Sequence, residues 1–394
     1  MKTLVIAPQP FFSPRGTPFS VYYRTMISSE LGVKMDFLTY GEGEDVEIPN
    51  VNFVRVPRFK FLGNVKIGPS PLKLFLDIFI FIKMIWLLTK NKYDVVHAHE
   101  EAVFMAYFLK PIFKFKLIYD MHSSLTQQLT NFQFTTSKLI INTFKKLEDN
   151  CLHTAEAVIT ICPDLRDYVN TIITNKEKHF LIENSIFDPV KKKNSKQQND
   201  SNETIDFDVN EFVKEDEQLL VYAGTLEKYQ GIDILINSMK FVIEENSKVK
   251  LLIAGGTKEQ VDEFSKLSNS LSLNDYIKFT GRVPQKYAKE FNAKADTLLS
   301  PRSDGTNTPL KIYEQLASGK PLVATEIYSH TQVLTDDVAF LVKPNPKDMA
   351  KGILLSINNK ELAREKAANA LNLYESDYSR TVYTSKLKRL LESL

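Results

Sequence analysis

Between Leu299 and Thr325 the chain reads Leu-Ser-Pro-Arg-Ser-Asp-Gly-Thr-Asn-Thr-Pro-Leu-Lys-Ile-Tyr-Glu-Gln-Leu-Ala-Ser-Gly-Lys-Pro-Leu-Val-Ala-Thr. Gly305 is followed by three small polar residues, Thr306, Asn307 and Thr308, and then by Pro309. The spacing predicts a helix from near Leu310 to Gly319 and a strand over Leu322–Ala324. Small residues let a ligand approach the backbone, and a proline in the first helical turn wastes no hydrogen-bond donor. The N–H groups and positive dipole end of such a helix favour an anion. Glu314, one turn further in, sets a carboxylate beside that anion, where it can accept hydrogen bonds from a sugar diol. A phosphate-bearing, hydroxyl-rich ligand meets both demands, and a nucleotide sugar is the common metabolite of that kind. The alternative is an ordinary loop of an α/β protein with proline at a helix start.

The elements that must hold this loop alternate between β-rich runs and longer helical patterns, which predicts parallel sheets wrapped by helices. In the first half the strands are expected at Leu4–Ala7, Lys34–Leu38, Asn52–Val56, Val95–Ala98, Lys116–Tyr119 and Ala157–Ile161. Helices are expected over 18–31, 72–90, 101–109 and 137–153. The second half repeats the theme at Leu219–Ala223, Val249–Ala254, Ile277–Thr280, Thr297–Ser300, Leu322–Ala324 and Ala339–Val342. A length of 394 residues exceeds one compact core. The reading is therefore a first domain over 1–188, a polar linker or insertion over 189–217, and a second domain over 218–375. The linker holds Lys191-Lys192-Lys193 and Asn199 and Asn202 in chance glycosylation sequons, and is too polar to fold tightly. A last helix is expected over 376–394, with apolar spacing at Val382, Leu387, Leu390, Leu391 and Leu394.

Bulk composition narrows the class. Hydrophobic content of 43%, charge of 25% and a net charge of +2 fit a soluble protein that is no nucleic-acid specialist. Cys151 and Cys162 form neither a metal spacing nor a disulfide framework, so a reducing cytoplasm fits. The start, Met-Lys-Thr-Leu-Val-Ile-Ala, is too short for a signal-peptide core and reads as a first strand.

Glu314 with Ala317-Ser318-Gly319-Lys320-Pro321-Leu322-Val323-Ala324 resembles the donor-binding signature of the retaining glycosyltransferases of family 4, whose pattern is Glu-x7-Glu and then Ala-x-Gly-x-Pro-Val-Val-Ala. Further runs match in order: Tyr93-Asp94-Val95-Val96-His97-Ala98-His99, Ile182-Glu183-Asn184-Ser185, Leu251-Leu252-Ile253-Ala254-Gly255-Gly256, and Ile277-Lys278-Phe279-Thr280-Gly281-Arg282-Val283. The resemblance covers nearly the whole chain. It implies the GT-B architecture, an α/β fold of two Rossmann-like domains facing across a cleft, with the last helix crossing back onto the first domain. It implies transfer of a hexosyl-type group from a nucleotide diphosphate sugar to a cell-surface glycan or lipid-linked precursor.

Site residues follow from the resemblance, with departures. Ribose binding is implied for Glu314, and donor contacts for Arg282, Val283, Gly305, Asn307, Thr308, Pro309 and Leu310. The first Glu of the signature, which is implied to contact the sugar, is replaced by Thr306. The family's Gly-Arg-Leu-x-x-x-Lys-Gly reads Gly224-Thr225-Leu226-Glu227-Lys228-Tyr229-Gln230-Gly231 here. Thr225 and Gln230 thus stand where two diphosphate-neutralising cations are implied. Lys228, Arg302 and Lys311 are the local substitutes, and Arg302 is preferred because a guanidinium grips two phosphate oxygens at once. These losses leave open a non-catalytic binding protein of the same architecture; a nucleotide-sugar epimerase, which shares it, is the rival enzyme.

In the first domain, active residues belong at the carboxyl ends of strands. Gly16, in the turn Phe12-Ser13-Pro14-Arg15-Gly16-Thr17-Pro18, is the family's ligand-approaching glycine or a merely conformational one. His122 matches the family's histidine that is implied to face the donor sugar. His97 and His99, two apart on one strand face, are conceivable as a metal pair, but no third ligand is evident. His97 is read as strand packing and His99 as a cleft edge. The resemblance implies that a helix dipole and cations do the work of a catalytic metal, so neither metal nor cofactor is expected; the implied chemistry is same-face attack in which the leaving phosphate takes the acceptor proton. Leu72–Leu88 is apolar but broken by Asp77 and Lys83, hence no membrane span. Its charges fall on one arc, which predicts burial on the other sides. Val51–Lys92 carries eight Lys/Arg against one acid, Asp77. That basic, aromatic stretch suits either an anionic membrane surface met from the cytoplasmic side or solvated lysines beside a core helix.

Overall fold

The computed structural model describes residues 1–13, 16–65, 70–126, 137–185, 187, 190, 191, 193 and 207–394. Pro14 and Arg15 and most of the expected linker, including Asn199 and Asn202, lie outside the described residues. The chain divides into two compact units, Met1–Gln197 with Arg380–Leu394, and Gln198–Ser379.

The first unit is built on β1 (Lys2–Ala7), β2 (Lys34–Thr39), β3 (Val51–Arg55), β4 (Val95–His99), β5 (Lys116–Met121), β6 (Ala157–Thr160) and β7 (His179–Leu181), in the order β3-β2-β1-β4-β5-β6-β7. Every pairing is parallel. Helices cover the sheet, so β4 and β6 are buried along their whole length, and His97 and His99 of β4 are buried with its apolar residues. The three-residue β7 is too short to show a period in the sequence. The chain order reverses between β1 and β4, and the carboxyl ends there are where a doubly wound sheet receives ligands.

The second unit repeats this plan with β8 (Gln218–Ala223), β9 (Val249–Ala254), β10 (Ile277–Gly281), β11 (Thr297–Ser300), β12 (Leu322–Thr325) and β13 (Phe340–Val342), ordered β10-β9-β8-β11-β12-β13. Its switch point lies between β8 and β11. Residues 207–217, read from the sequence as linker, belong to this unit. Phe207 packs against Phe212 and Phe291, and Val209 is buried. Three apolar side chains are enough to dock a segment whose overall composition is polar.

Two other elements differ from the sequence reading. The helix Pro71–Lys90 starts at a Ser70 cap with Pro71 in its first turn and buries Leu76, Ile80, Met84, Leu87 and Leu88. Its opposite side is apolar as well: Leu74, Ile78, Ile82 and Trp86 form an i, i+4 stripe that is 57%, 56%, 59% and 48% exposed. The charges expected to face water are partly inside instead, since Lys73 pairs with Glu101 at 2.9 Å and Asp77 accepts from the Tyr40 hydroxyl at 2.6 Å. At the end of the chain, a π-helical turn over Tyr374–Tyr378 precedes the helix Arg380–Glu392. That helix packs into the first unit through Tyr383, Leu387 and Leu390, against Ile27, Val95 and Ile118.

Candidate active site

In the second unit, β11 delivers the chain into the loop 301–309, and the helix Leu310–Ala317 follows with Pro309 at its cap position. Gly305 has φ +116°, and a Cβ there would stand 2.1 Å from Arg302 Nη2, so only glycine fits. Arg302 explains the loop's shape. Its Nε donates to the Asp304 carbonyl at 2.6 Å, its Nη1 to the Asn307 carbonyl at 3.3 Å, and its guanidinium lies over the Tyr229 ring. Gln332 Nε2 donates to the Thr306 carbonyl. Thr308 and Pro309 are buried, whereas Thr306 is exposed.

Lys311 reaches back to the first loop of the unit. Its Nζ donates to Gln230 Oε1 at 3.2 Å and sits 4.1 Å from the centre of the Tyr222 ring. Gln230 Nε2 lies 3.5 Å from Thr225 Oγ1, and Tyr222 donates its hydroxyl to the Thr225 carbonyl at 2.6 Å. The two positions that lack cations are thus joined to a lysine from the opposing loop. Burial, and then Arg302, hold Lys311 well below the ordinary lysine pKa. Among the described residues no carboxylate stands within ion-pair distance of Lys311 or Arg302. A half-buried pair of cations without an ion-paired carboxylate is a site for an anion.

Glu314 lies one turn into the helix and is half-buried. Burial raises its pKa, opposed by Lys289 and by a hydrogen bond from Gln285, both on the helix Gln285–Lys294. Lys228 is exposed in the turn Lys228–Gln230. Arg282, after β10, edges a cavity of about 490 Å³ with Gly256, Thr257, Phe279 and Thr280; Leu310, Lys311 and Glu314 do not line it. Val283 packs into the apolar core beneath.

In the first unit, Gly16 opens the helix Gly16–Glu30 and is exposed. A Cβ there would meet nothing within 4 Å, so the protein itself does not demand glycine. At the ends of β4 and β5, four side chains converge on one carboxylate. Asp120 takes Arg24 Nη1 at 3.3 Å, His97 Nε2 at 2.9 Å, His99 Nδ1 at 3.3 Å and His122 Nε2 at 3.4 Å. His99 Nδ1 and His122 Nε2 are 3.2 Å apart. All five residues are buried. Arg24 also donates to the Ile182 carbonyl at 3.1 Å and lies over the Tyr383 ring.

Burial alone would raise the Asp120 carboxyl, but Arg24, His99, His122 and the His97 hydrogen bond hold it well below the usual range. Burial brings His122 down to about 4, outweighing the attraction of Asp120, so its imidazole is neutral at pH 7. The sequence reading found no third partner for His97 and His99. Asp120 is that partner, and the donor atoms of the three lie within 4.8 Å of one another. A dication among them would face the Arg24 guanidinium across Asp120, so the arrangement works as a hydrogen-bonded network around one carboxylate. His99 is inside this network rather than at an edge. Asp120 and Arg24 escaped the sequence reading, although a carboxylate in the middle of Leu-Ile-Tyr-Asp-Met, on a buried strand, signals that a cation must lie nearby.

Two models of known families match, one per half. "Glycosyltransferase Family 4" covers residues 28–186 and "Glycosyl transferases group 1" covers residues 204–372. An uncharacterized glycosyltransferase of Methanocaldococcus jannaschii is 25% identical over 82% of this chain and 80% of its own. A phosphatidyl-myo-inositol mannosyltransferase of Mycobacterium leprae is 27% identical over 43% of this chain, and the match spans 44% of that relative's length. HepE of Anabaena, solved in complex with UDP, superposes with a TM-score of 0.71 at 16% identity, over the whole of both chains. Two parallel sheets with interleaved helices are thus shared with that structure.

Proposed function

The chain belongs to the group 1, family 4 glycosyltransferases of GT-B architecture. From that premise we propose that it is a retaining enzyme that moves a hexosyl-type group from a nucleotide diphosphate sugar to a cell-surface glycan or a lipid-linked precursor. The observation that carries this reading is the pair of cations Lys311 and Arg302 at the start of the helix Leu310–Ala317, which no carboxylate ion-pairs among the described residues. A diphosphate supplies the missing negative charge, and Glu314 is placed to accept from the ribose hydroxyls. Gly305, Thr306, Asn307, Thr308 and Pro309 bring backbone close to the same ligand. Thr225, Gln230 and Lys228 line its other side, with Arg282 and Val283 toward the nucleoside. HepE is described in complexes with UDP and with UDP-glucose, which supports this donor class.

Neutral His122 is assigned to the hexose, as a hydrogen-bonding partner whose protonation does not change near pH 7. As the sugar–phosphate bond breaks, Lys311 meets the charge developing on the leaving oxygen, and the leaving phosphate takes the acceptor proton. This chemistry asks for neither a metal nor a cofactor. Gly16 gives a ligand close access to the start of the first helix.

The acceptor side is assigned to a membrane surface met from the cytoplasm. Among the described residues no helix is long and apolar enough to cross a membrane. The exposed stripe Leu74, Ile78, Ile82 and Trp86, with Phe108 and Ile112 of the neighbouring helix Ala102–Phe113, can bury in the headgroup region. The excess of lysine and arginine over Val51–Lys92 matches anionic lipid. The mycobacterial relative is named for a phosphatidyl-inositol acceptor, which agrees with a lipid-linked one here.

A thermal-shift panel of UDP, GDP and ADP with their hexose derivatives tests the donor reading. One nucleotide series should raise the midpoint at 100 times its dissociation constant, by the equivalent of about 2.7 kcal/mol. No shift with any of them would end it. Slow hydrolysis of the stabilising nucleotide sugar separates an enzyme from a non-catalytic binding protein, which would release none, and recovery of an isomerised sugar nucleotide would mark an epimerase instead.

A further inference from the structure

We infer that Glu148 is a positioning residue for His122, a buried carboxylate that fixes the turn after β5. Glu148 lies on the helix Lys138–Thr154 and is fully buried. Its two oxygens accept four hydrogen bonds: from the Leu125 N–H at 2.7 Å, Ser124 Oγ at 3.0 Å, Thr126 Oγ1 at 3.2 Å and the Tyr168 hydroxyl at 3.0 Å. Three of the four donors belong to residues 124–126, and His122 stands two residues before that segment.

No cation pairs with Glu148 among the described residues. Burial therefore raises its pKa, and the hydrogen bonds from Leu125, Ser124, Tyr168 and Thr126 oppose the rise. A buried charge of this kind is costly, and an apolar side chain of equal volume would fill the same space without the cost. What the carboxylate adds is specificity: four donors converge on it, and only an acceptor-only group can serve them all. Glutamine, although isosteric, would turn its NH2 toward some of those donors.

His122 leads from the end of β5 into that turn. Its Nε2 faces His99 Nδ1 at 3.2 Å and the Asp120 carboxylate at 3.4 Å. Those contacts orient the imidazole, and the backbone that follows it must be held as well. The turn tied down by Glu148 holds it. The positioning itself stands without the proposed reaction; only its catalytic consequence rests on the assignment of His122 to the donor sugar.

Carbethoxylation by diethyl pyrocarbonate, read at each histidine by peptide mass spectrometry, tests this on the full chain. In Glu148→Gln, His122 should react at least about tenfold faster than in the wild type, because local opening governs access to a buried group. His97 on β4 and His330 in the second unit should stay slow, and exposed His153 gives the reference rate. An unchanged His122 rate would overturn the proposal. If Glu148→Gln exposes every histidine, the variant has unfolded, and Thr126→Val and Tyr168→Phe then decide. Each removes one donor, and each should raise the His122 rate about two- to threefold; no rise in either overturns the proposal. With the nucleotide sugar selected by thermal shift, Glu148→Gln should lower kcat and leave KM within twofold. Should no nucleotide sugar be turned over by the wild type, the proposed function fails while the His122 rates still settle the role of Glu148.

Discussion

Arg302 and Lys311 bring the same charge to one loop and use it differently. A guanidinium suits a diphosphate, and the sequence favours Arg302 on that ground. In the structure its Nε and Nη1 brace the carbonyls of Asp304 and Asn307, which leaves Lys311, bonded to an amide oxygen and set over an aromatic face, as the cation with charge to give. We therefore expect Lys311→Ala to weaken UDP binding at least tenfold, the equivalent of the 1.5–3 kcal/mol typical of a charged hydrogen bond, while the melting temperature holds or rises. Arg302→Ala should instead lower the melting temperature by loosening the loop. Calorimetric titration with UDP beside a thermal scan reads both, and Lys311→Ala binding UDP within twofold of the wild type would remove it from the diphosphate site. The contrast also marks what was legible. Gly305 and the helix that follows Pro309 sit in a dense local motif that spacing reveals. Asp120, Arg24 and Glu148 act through partners far away in the chain, and no local pattern announces such a pair.

Among the elements, the helix Pro71–Lys90 departs furthest from its sequence. Most strand positions were readable because apolar, β-rich runs mark them, the three-residue β7 excepted. A helix apolar on nearly all sides gives no such direction. Its charges suggested the solvent face, yet Lys73 and Asp77 turn inward to Glu101 and Tyr40. The same arrangement makes an acidic pocket in which burial, with Glu101 adding, lifts Asp77 and Glu100 to about 7. The stripe left outside is large enough to matter. Burying Ile78 and Ile82 in a bilayer interface would contribute roughly 1.5–3 kcal/mol each. The double substitution Ile78→Glu with Ile82→Glu should thus cut co-sedimentation with phosphatidylglycerol vesicles at least tenfold and leave the fold intact, since both side chains are already exposed. A wild-type protein that stays in the supernatant would dispose of the membrane surface.

At the scale of the whole molecule, the first unit is closed by the far end of the chain. The helix Arg380–Glu392 sets Tyr383, Leu387 and Leu390 into the core around Ile27, Val95 and Ile118, and Tyr383 lies beneath the Arg24 that pairs with Asp120. Arg380 joins Glu30 at 2.8 Å and Lys386 joins Glu183 at 2.6 Å. The first of these ion pairs is exposed and counts for little. The three apolar side chains count for more, at roughly 2 kcal/mol each, a sum comparable to the whole stability of an ordinary domain. The apolar core of the second unit is made of residues within Gln198–Ser379. Truncation after Ser379 should therefore unfold the first unit selectively. Calorimetry should show its transition lost or lowered by well over ten degrees, while the second unit melts as before and still takes up UDP. Proteolysis with mass spectrometry would place the new cleavages within residues 1–197. A truncated chain that melts as the intact one does would mean that the buried helix is dispensable, and with it this account of how the first unit holds Arg24 against Asp120.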